Sequence, residues 1–374
     1  MPNIFFISGK NLLNPAKGAE IRILELVKGL ARENRVIVMN FDDGKRASNP
    51  KEQLRDLGVS LINIRVRHPA QKLWPGVYRA CYRVLREEKV DGIIGSHLWS
   101  VPSAMGLAKM SGLPLFFDDH NVEHDLLRQQ GRRVGAALVK WLESTILRRA
   151  TLTFAVSEVD KSLLAPWARA IEVLPNGTAL PPPNVEVRPK RPVVLFFGNL
   201  GYEPNREAVG IIAEQIAPSV ALRIPDVEFR IVGRPAPKMR VANITVVGFA
   251  ERIEDELDRA VLTIVPLLHG SGTRIKILDA LARHRPVVST PKGAEGIVDF
   301  ESLKIVSLDC FPDAVVEMLL RWKGGQPLFS ERDRQTILRH SWGNIAKMLS
   351  TAISREIARE QQGRMAAVNL PMTE

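Results

Sequence analysis

The chain has 374 residues, 45% of them hydrophobic, which is enough for two domains with substantial cores. Its two cysteines lie far apart without metal-ligand spacing, which excludes a disulfide framework and favours a reducing compartment. The formal net charge of +11 predicts an anionic partner, and no apolar run approaches the roughly 20 residues of a membrane span. The first residues lack a basic region and predict a strand rather than a signal peptide.

Strands and helices alternate through the first half of the chain. Short apolar runs predict strands at 4–8, 35–41, 59–66, 91–97, 113–118, 152–157 and 171–175. Apolar residues at helical spacing predict helices at about 19–33, 73–88 and 122–149. This alternation is typical of a parallel sheet with helices on both faces, in which ligands bind beyond the carboxyl ends of the strands.

A segment rich in Pro, Gly and Asn follows and predicts a domain linker at 181–192. Alternation then restarts, with predicted strands at 193–198, 227–233, 244–248, 261–267, 287–289 and 303–307. Predicted helices include 205–222, 253–259, 312–322 and 342–361. The expected architecture is α/β, with Rossmann-like domains at 1–180 and 193–340, a C-terminal helix at 341–362 and a loose tail at 363–374.

A glycine-rich turn in the second half leads from a strand into a helix. Gly270 and Gly272 permit backbone conformations closed to other residues, and Ser271 or Thr273 can cap the helix that follows. The start of such a helix presents unpaired N–H groups and the positive end of a dipole. This geometry suits a phosphate or a sugar oxygen.

Three charged residues follow this turn. Arg274 and Lys276 add positive charge in the first helical turn, and the Asp279 carboxylate can accept two hydrogen bonds from a ribose diol. A sugar nucleotide needs these groups, since its diphosphate requires donors and its ribose an acceptor. The alternative is an ordinary strand-to-helix turn whose charged side chains are solvated.

The same stretch carries a family resemblance. Residues 270–282, Gly-Ser-Gly-Thr-Arg-Ile-Lys-Ile-Leu-Asp-Ala-Leu-Ala, with Pro-Val-Val-Ser-Thr at 286–290, resemble the donor-site signature of retaining glycosyltransferase family four. Its Glu-x7-Glu pattern falls here on Ser271 and Asp279. The aspartate keeps a ribose contact, whereas the serine removes a carboxylate that usually touches the transferred sugar. The resemblance implies a GT-B fold, in which two Rossmann-like domains face each other across a cleft and the last helix returns to the first domain.

Residues 197–206 resemble the diphosphate turn of this family. Gly198 keeps a permissive turn and Asn205 is expected to cap the next helix, but Asn199 stands where the family has an arginine. The resemblance therefore assigns the phosphate-binding role to Arg274 first and to Lys276 second.

Two further positions resemble the donor site. Phe249 lies where the family binds the base, and we expect it either to stack on the base or to belong to the core. Gly18 opens the first helix and is similar to the family's glycine turn near the diphosphate, although the usual second glycine is missing.

The run Asp-Asp-His-Asn-Val-Glu at 118–123 follows the fifth predicted strand. His120 matches the family histidine that contacts the transferred sugar, although it can also act as a helix-capping residue. Asp119 and His97 are expected on the acceptor side, with an ordinary loop histidine as the alternative for His97. The spacing of Asp118, Asp119 and His120 is not diagnostic of a metal site, and the resemblance implies no metal.

The resemblance implies transfer of a hexose or related sugar from a nucleotide diphosphate sugar to a glycan, lipid-linked or small-molecule acceptor, with retention of configuration. His120 and Arg274 are then the catalytic residues, and no cofactor is needed beyond the donor substrate. Two alternatives remain open. One is a GT-B sugar-nucleotide epimerase or hydrolase, and the other is a non-catalytic nucleotide-binding protein of the same fold.

Basic residues cluster with aromatic residues in two stretches, at 65–89 and 128–149. Such stretches can bind an anionic membrane surface, which is consistent with a cytoplasmic protein at the inner face of the membrane. The alternative is a solvated basic face with its aromatic residues in the core. Nucleic acid is not an expected partner, because no recognition motif accompanies the charge.

Overall fold

The structure is a computed structural model that describes residues 1–13, 15, 18–42, 44, 50–66, 75–182, 188–270, 272–297 and 299–368. The chain forms two compact units. The first comprises Met1–Asn176 together with Trp342–Glu374, and the second comprises Gly177–Ser341. Each unit contains one parallel sheet with helices, which confirms the predicted pair of Rossmann-like α/β domains.

Within the described residues, the sheet of the first unit has seven strands in the order β3-β2-β1-β4-β5-β6-β7. The strands are β1 (Asn3–Ser8), β2 (Arg35–Asp42), β3 (Ser60–Arg65), β4 (Gly92–Ser96), β5 (Leu115–Asp118), β6 (Leu152–Ala155) and β7 (Ile171–Val173). All six residues of β1 are buried, because helices cover both faces of a parallel sheet. The strand order reverses between β1 and β4, and ligands of such sheets bind beyond the strand ends at that point.

The helices of the first unit are α1 (Gly18–Leu30), α2 (Pro50–Asp56), α3 (Pro75–Glu87), α4 (Val101–Ser111), α5 (Glu123–Gln129), α6 (Arg133–Leu147), α7 (Glu158–Leu164) and α14 (Trp342–Val368). The single long helix predicted at 122–149 is wrong. Gly131 adopts a φ of 73°, which ends α5 and separates it from α6.

The C-terminal helix α14 belongs to the first unit, where it packs against α1. A Cβ atom on Gly29 would lie 2.0 Å from the Cβ of Ala346, so the two helices approach closely where both have small residues. The helix continues through Val368, so the part of the predicted loose tail at 363–368 is wrong. Residues 364–368 contain no helix breaker.

Within the described residues, the second unit has a six-stranded parallel sheet in the order β10-β9-β8-β11-β12-β13. The strands are β8 (Val193–Phe197), β9 (Glu228–Val232), β10 (Ile244–Gly248), β11 (Leu262–Val265), β12 (Val287–Ser289) and β13 (Leu303–Ile305). The helices are α8 (Glu203–Ile211), α9 (Ala217–Ala221), α10 (Ile253–Arg259), α11 (Ile275–Ala282), α12 (Phe311–Lys323) and α13 (Glu331–Arg339). Strand order reverses between β8 and β11. The glycine-containing turn after β8, at 197–206, and the glycine-rich turn after β11 therefore both follow strands at the reversal.

Candidate functional site

The glycine-rich turn after β11 holds the side chain of Arg274 against its own backbone. Gly270 and Gly272 have φ values of 121° and 72°, which favour glycine. The Arg274 guanidinium donates to the carbonyl oxygen of Gly272. A Cβ atom on Gly270 would lie 2.7 Å from Nη2 of Arg274 and 3.0 Å from Oη of Tyr202. The missing side chain at Gly270 therefore makes room for a buried cation.

Helix α11 begins at Ile275, and its N-cap position is Arg274, which forms no side-chain capping bond. The N-cap position therefore lies one residue after Thr273, and Ser271 lies outside the described residues. Arg274 has an extended backbone and its side chain folds back over the turn, so it occupies the position of a cap without acting as one. Arginine has no side-chain oxygen, so Arg274 cannot accept hydrogen bonds from the first N–H groups of α11.

Lys276 points toward the turn after β8. Its Nζ donates to Oδ1 of Asn205 at 2.9 Å and lies 4.5 Å from the centre of the Phe196 ring. Within the described residues, no carboxylate forms an ion pair with Lys276. Burial, followed by the charge of Arg274, lowers the pKa of Lys276 to about 7.

The turn after β8 is closed by hydrogen bonds among its own residues. Asn205 is not the cap of α8, since that helix begins at Glu203; its Nδ2 donates to the carbonyl oxygen of Asn199 at 2.8 Å. Oδ1 of Asn199 accepts from the N–H of Gly201 at 3.0 Å, so Asn199 shapes the loop. A Cβ atom on Gly198 would lie 2.9 Å from Nζ of Lys276. The two glycine-rich turns thus meet at the Lys276 ammonium.

Asp279 is partly buried on α11, and its Oδ1 accepts a hydrogen bond from Oγ1 of Thr178 at 2.7 Å. Burial raises the pKa of Asp279 to about 7, although the bond from Thr178 acts in the opposite direction. The carboxylate therefore changes charge near neutral pH.

Phe249 is 59% exposed, which rules out a position in the core. The guanidinium carbon of Arg234 lies 4.2 Å from the centre of the Phe249 ring. The arginine orients the ring and covers part of it.

At the carboxyl end of the first sheet, Asp118 forms an ion pair with Arg22, which is only 1% exposed. Nε and Nη2 of Arg22 donate to Oδ1 of Asp118 at 3.1 and 2.7 Å. The other guanidinium hydrogens bind the carbonyl oxygens of Leu174 and Pro175 and Oδ1 of Asn176. Burial alone would raise the pKa of Asp118, but the charge of Arg22, together with the hydrogen bonds from Arg22 and His120, brings it well below its ordinary value.

His120 is buried beside this pair. Its Nε2 lies 2.8 Å from Oδ2 of Asp118 and 2.9 Å from Oγ of Ser96, and Ser96 also donates to Oδ2 at 2.7 Å. Burial lowers the pKa of His120, although Asp118 opposes the shift. His97 has a φ of 70°, and its ring meets that of His120 edge-on at 5.5 Å. The structure thus brings the two predicted histidines together.

Asp119 is buried next to these residues, and its N–H donates to the carbonyl oxygen of Phe154 at 2.9 Å. Burial, with the charges of Glu143 and Glu123, raises the pKa of Asp119 well above its ordinary value. In the described part of the chain, Oδ2 of Asp119 accepts no hydrogen bond. Among those same residues, no group of three or more His, Cys, Asp or Glu side chains is arranged to hold a metal ion.

Gly18 is exposed at the first position of α1. Sequence reasoning missed four residues of these sites, namely Arg22, Ser96, Thr178 and Asn205 as the partner of Lys276. Arg22 alone left a signal, because it interrupts the apolar run Ile-Arg-Ile-Leu of a helix.

Comparisons with known proteins address the family and the fold. A sequence profile described as Glycosyltransferase Family 4 matches residues 16–180, and one described as Glycosyl transferases group 1 matches residues 191–321. No curated protein sequence matches the chain.

Several solved structures are similar over nearly the whole chain. Sucrose-phosphate synthase from Thermosynechococcus elongatus has a TM-score of 0.75 at 15% identity, covering 96% of this chain and 100% of its own. HepE from Anabaena in complex with UDP and glucose has a TM-score of 0.69 at 14% identity, covering 95% and 100%. A glycosyltransferase from Rickettsia africae has a TM-score of 0.70 at 15% identity, covering 95% and 99%. With profile matches in both units and this shared GT-B fold, the chain belongs to the family 4 type of glycosyltransferases.

Proposed function

We propose that the protein transfers a sugar from a nucleotide diphosphate sugar to an acceptor hydroxyl with retention of configuration, and that its second unit binds the donor. The observation that carries this proposal is the environment of Lys276. Its partly buried ammonium lies at the turn after β8, near Arg274, and no carboxylate in the described part of the chain pairs with it. A partly buried cation without a counter-ion is destabilised, so an anionic ligand would stabilise it. The diphosphate of the sugar donor is such a ligand.

The other residues then have definite roles. Arg274, Lys276 and the first N–H groups of α11 hold the diphosphate and stabilise its charge as the anomeric bond breaks, an effect of a few kcal/mol in a dry site. The backbone at Gly198, Gly270 and Gly272 gives the phosphates room, with Thr273 at the edge of the turn.

The nucleoside and the sugar have their own contacts in this proposal. Asp279 accepts hydrogen bonds from the ribose hydroxyls, and Phe249 stacks on the base with the ring face that Arg234 leaves open. His120 contacts the transferred sugar, whereas Asp119 and His97 contribute to acceptor binding.

A ligand screen with a matched variant tests donor binding. Nucleotide diphosphates and their sugars are added to the wild type and to Lys276→Met, and melting temperature and calorimetric affinity are measured. Uridine compounds come first, since HepE was solved with UDP-glucose. We expect one nucleotide sugar to stabilise the wild type. Lys276→Met should melt at the same or a higher temperature without ligand, because it removes a partly buried charge that has no counter-ion, and should respond at least tenfold more weakly to the ligand.

The outcomes separate the alternatives. No response from a folded wild type, or an equal response from Lys276→Met, would contradict the proposed donor site. Binding followed by release of free sugar or an epimer from the donor alone would favour the hydrolase or epimerase. Binding without turnover over an acceptor panel would favour a non-catalytic protein. For a product, the anomeric coupling measured by NMR reports whether configuration is retained.

We also propose that the acceptor is lipid-linked and that α6 contacts an anionic membrane surface at the cytoplasmic face. Val134, Leu138 and Trp141 are 87, 67 and 64% exposed and recur at helical spacing on one side of α6. Four basic residues on α6 or directly after it are exposed, namely Arg133, Lys140, Arg148 and Arg149. The acidic residue of α6, Glu143, is buried. An exposed apolar stripe on a helix with exposed cations suits an anionic lipid surface.

Vesicle flotation tests this contact. We expect the wild type to float with vesicles of phosphatidylglycerol and phosphatidylcholine, but not with phosphatidylcholine alone. Trp141→Ser should weaken the binding at least tenfold, since a buried large apolar side chain contributes about 1.5–3 kcal/mol. Leu222→Ser changes a residue that is 86% exposed in the second unit and should have no effect. Equal binding to both vesicle types would contradict the proposal. In the described part of the chain, no helix is long and apolar enough to cross a membrane.

A further inference from the structure

The buried contacts around His120 determine which of its two ring nitrogens carries the hydrogen. Arg22 places two hydrogen bonds on Oδ1 of Asp118, at 2.7 and 3.1 Å, so this buried carboxyl is a carboxylate. The other oxygen, Oδ2, lies 2.8 Å from Nε2 of His120. Two lone pairs would repel each other at that distance, so Nε2 must carry a hydrogen and donate it to Asp118.

Ser96 does not reverse this assignment. Its hydroxyl donates to Oδ2 of Asp118 at 2.7 Å, so its single hydrogen is already used and it cannot also donate to Nε2 of His120. The opposite ring nitrogen, Nδ1, is buried and forms no hydrogen bond with the described residues. Arg22, Asp118 and Ser96 beside it are hydrogen-bonded, so this buried ring nitrogen without a partner marks a position for a ligand group.

We infer that Arg22 and Asp118 are positioning residues that lock His120 in the Nε2–H tautomer, so that Nδ1 accepts a hydrogen bond from a hydroxyl of the bound sugar. The histidine then recognises a hydroxyl and donates no hydrogen to the ligand. Arg22 acts at a distance from the ligand, since all five of its guanidinium hydrogens bind Asp118 and the segment 174–176. The choice of a sugar hydroxyl as the partner rests on the proposed function, whereas the tautomer does not.

NMR of the free protein tests the tautomer without any ligand. Two-bond ¹H–¹⁵N spectra of protein labelled at histidine distinguish the Nε2–H, Nδ1–H and charged forms of each ring. The chain has seven histidines, and the His120 signals are those lost in His120→Ala. We expect the Nε2–H form at neutral pH in the wild type and in Ser96→Ala, because Asp118 remains. Asp118→Asn can turn its NH₂ toward Nε2, so this variant should shift to the Nδ1–H form.

An Nδ1–H or charged ring in the wild type, or an unchanged tautomer in folded Asp118→Asn, would contradict the proposed control of the tautomer by Asp118.

Calorimetry separately tests the proposed contact between His120 and the sugar. Asp118→Asn should bind the nucleotide sugar about three- to tenfold more weakly, as expected for one lost hydrogen bond, and the nucleoside diphosphate without change. Equal loss for both ligands would overturn the sugar contact and leave the tautomer result standing. If no nucleotide binds the wild type, the proposed function fails instead. Melting curves establish that each variant is folded.

Discussion

The Lys276 ammonium in the second unit donates to the amide oxygen of Asn205. This amide is neutral, so it does not balance the charge of the ammonium as a carboxylate would. Burial and Arg274 lower the pKa of Lys276 to about 7, so the lysine is largely neutral at pH 8. A bound diphosphate would raise that pKa again and draw a proton from solvent.

We therefore predict that a nucleotide sugar takes up a proton when it binds at pH 8. Its diphosphate does not itself titrate near neutrality, so the proton reports on the protein. Calorimetry in two buffers with different ionisation enthalpies should give an uptake approaching one proton for the wild type. Lys276→Arg, which stays charged, should bind with none. Equal uptake by both proteins would contradict the assignment to Lys276.

Asn205→Asp should place a carboxylate beside Lys276 and compete with the diphosphate. We expect the pKa of Lys276 to rise, proton uptake to disappear and affinity for the nucleotide sugar at pH 6.5 to fall about tenfold. Asn199→Asp is the matched control, because this side chain accepts from Gly201 and has no recorded bond to Lys276. If Asn199→Asp weakens binding as much as Asn205→Asp, the effect is general repulsion rather than loss of the Lys276 contact.

Affinity for the nucleotide sugar should also depend on the ionisation of Asp279. Burial raises its folded pKa to about 7, so the carboxylate that we propose as the ribose acceptor is lost as the pH falls through 7. Because Lys276 loses its charge as the pH rises through about 7, affinity should be bell-shaped with a maximum near neutrality. Asp279→Asn should remove the acid limb and keep the alkaline one, while Lys276→Arg should do the reverse. A variant that keeps both limbs would show that another group titrates.

Gly270→Ala should damage both stability and donor binding. The added Cβ would meet Nη2 of Arg274 at 2.7 Å, and the φ of 121° is unfavourable for alanine. Gly325→Ala measures the cost of a left-handed backbone without a clash, since Gly325 has a φ of 71° and nothing within 4 Å of its added Cβ. We expect the free energy of unfolding in urea to fall by about 1–2 kcal/mol for Gly325→Ala and by more for Gly270→Ala. Only Gly270→Ala should weaken nucleotide binding; equal effects would exclude a role for the space beside Arg274.

The fold and the glycine-rich turn after β11 could be predicted because they depend on local patterns. Apolar runs of strand length, turn glycines and helical spacing lie close together in the sequence, and the stretch 270–282 contains most of the proposed diphosphate contacts in consecutive residues. Errors occurred where one residue changed the local geometry. Gly131 divides a predicted helix, and Arg274 takes the N-cap position expected for Thr273.

The rest depends on contacts between residues far apart in the sequence. Arg22 reaches Asp118 across 96 positions, and Thr178 reaches Asp279 across 101. No spacing rule links such pairs, because helix and strand periodicities relate only nearby residues. A buried arginine in an apolar helix indicates that some acidic partner exists, but only the sheet order identifies it as Asp118.

The return of α14 to the first unit has a consequence for synthesis. The close contact between Gly29 and Ala346 can form only after the whole second unit has left the ribosome, so α1 keeps an uncovered surface while 165 intervening residues, Gly177–Ser341, are made. The second unit is contiguous in sequence and can complete its fold earlier. The first domain to be translated is therefore the last to be finished, and a nascent chain halted before Trp342 carries an incomplete first unit for chaperones to protect.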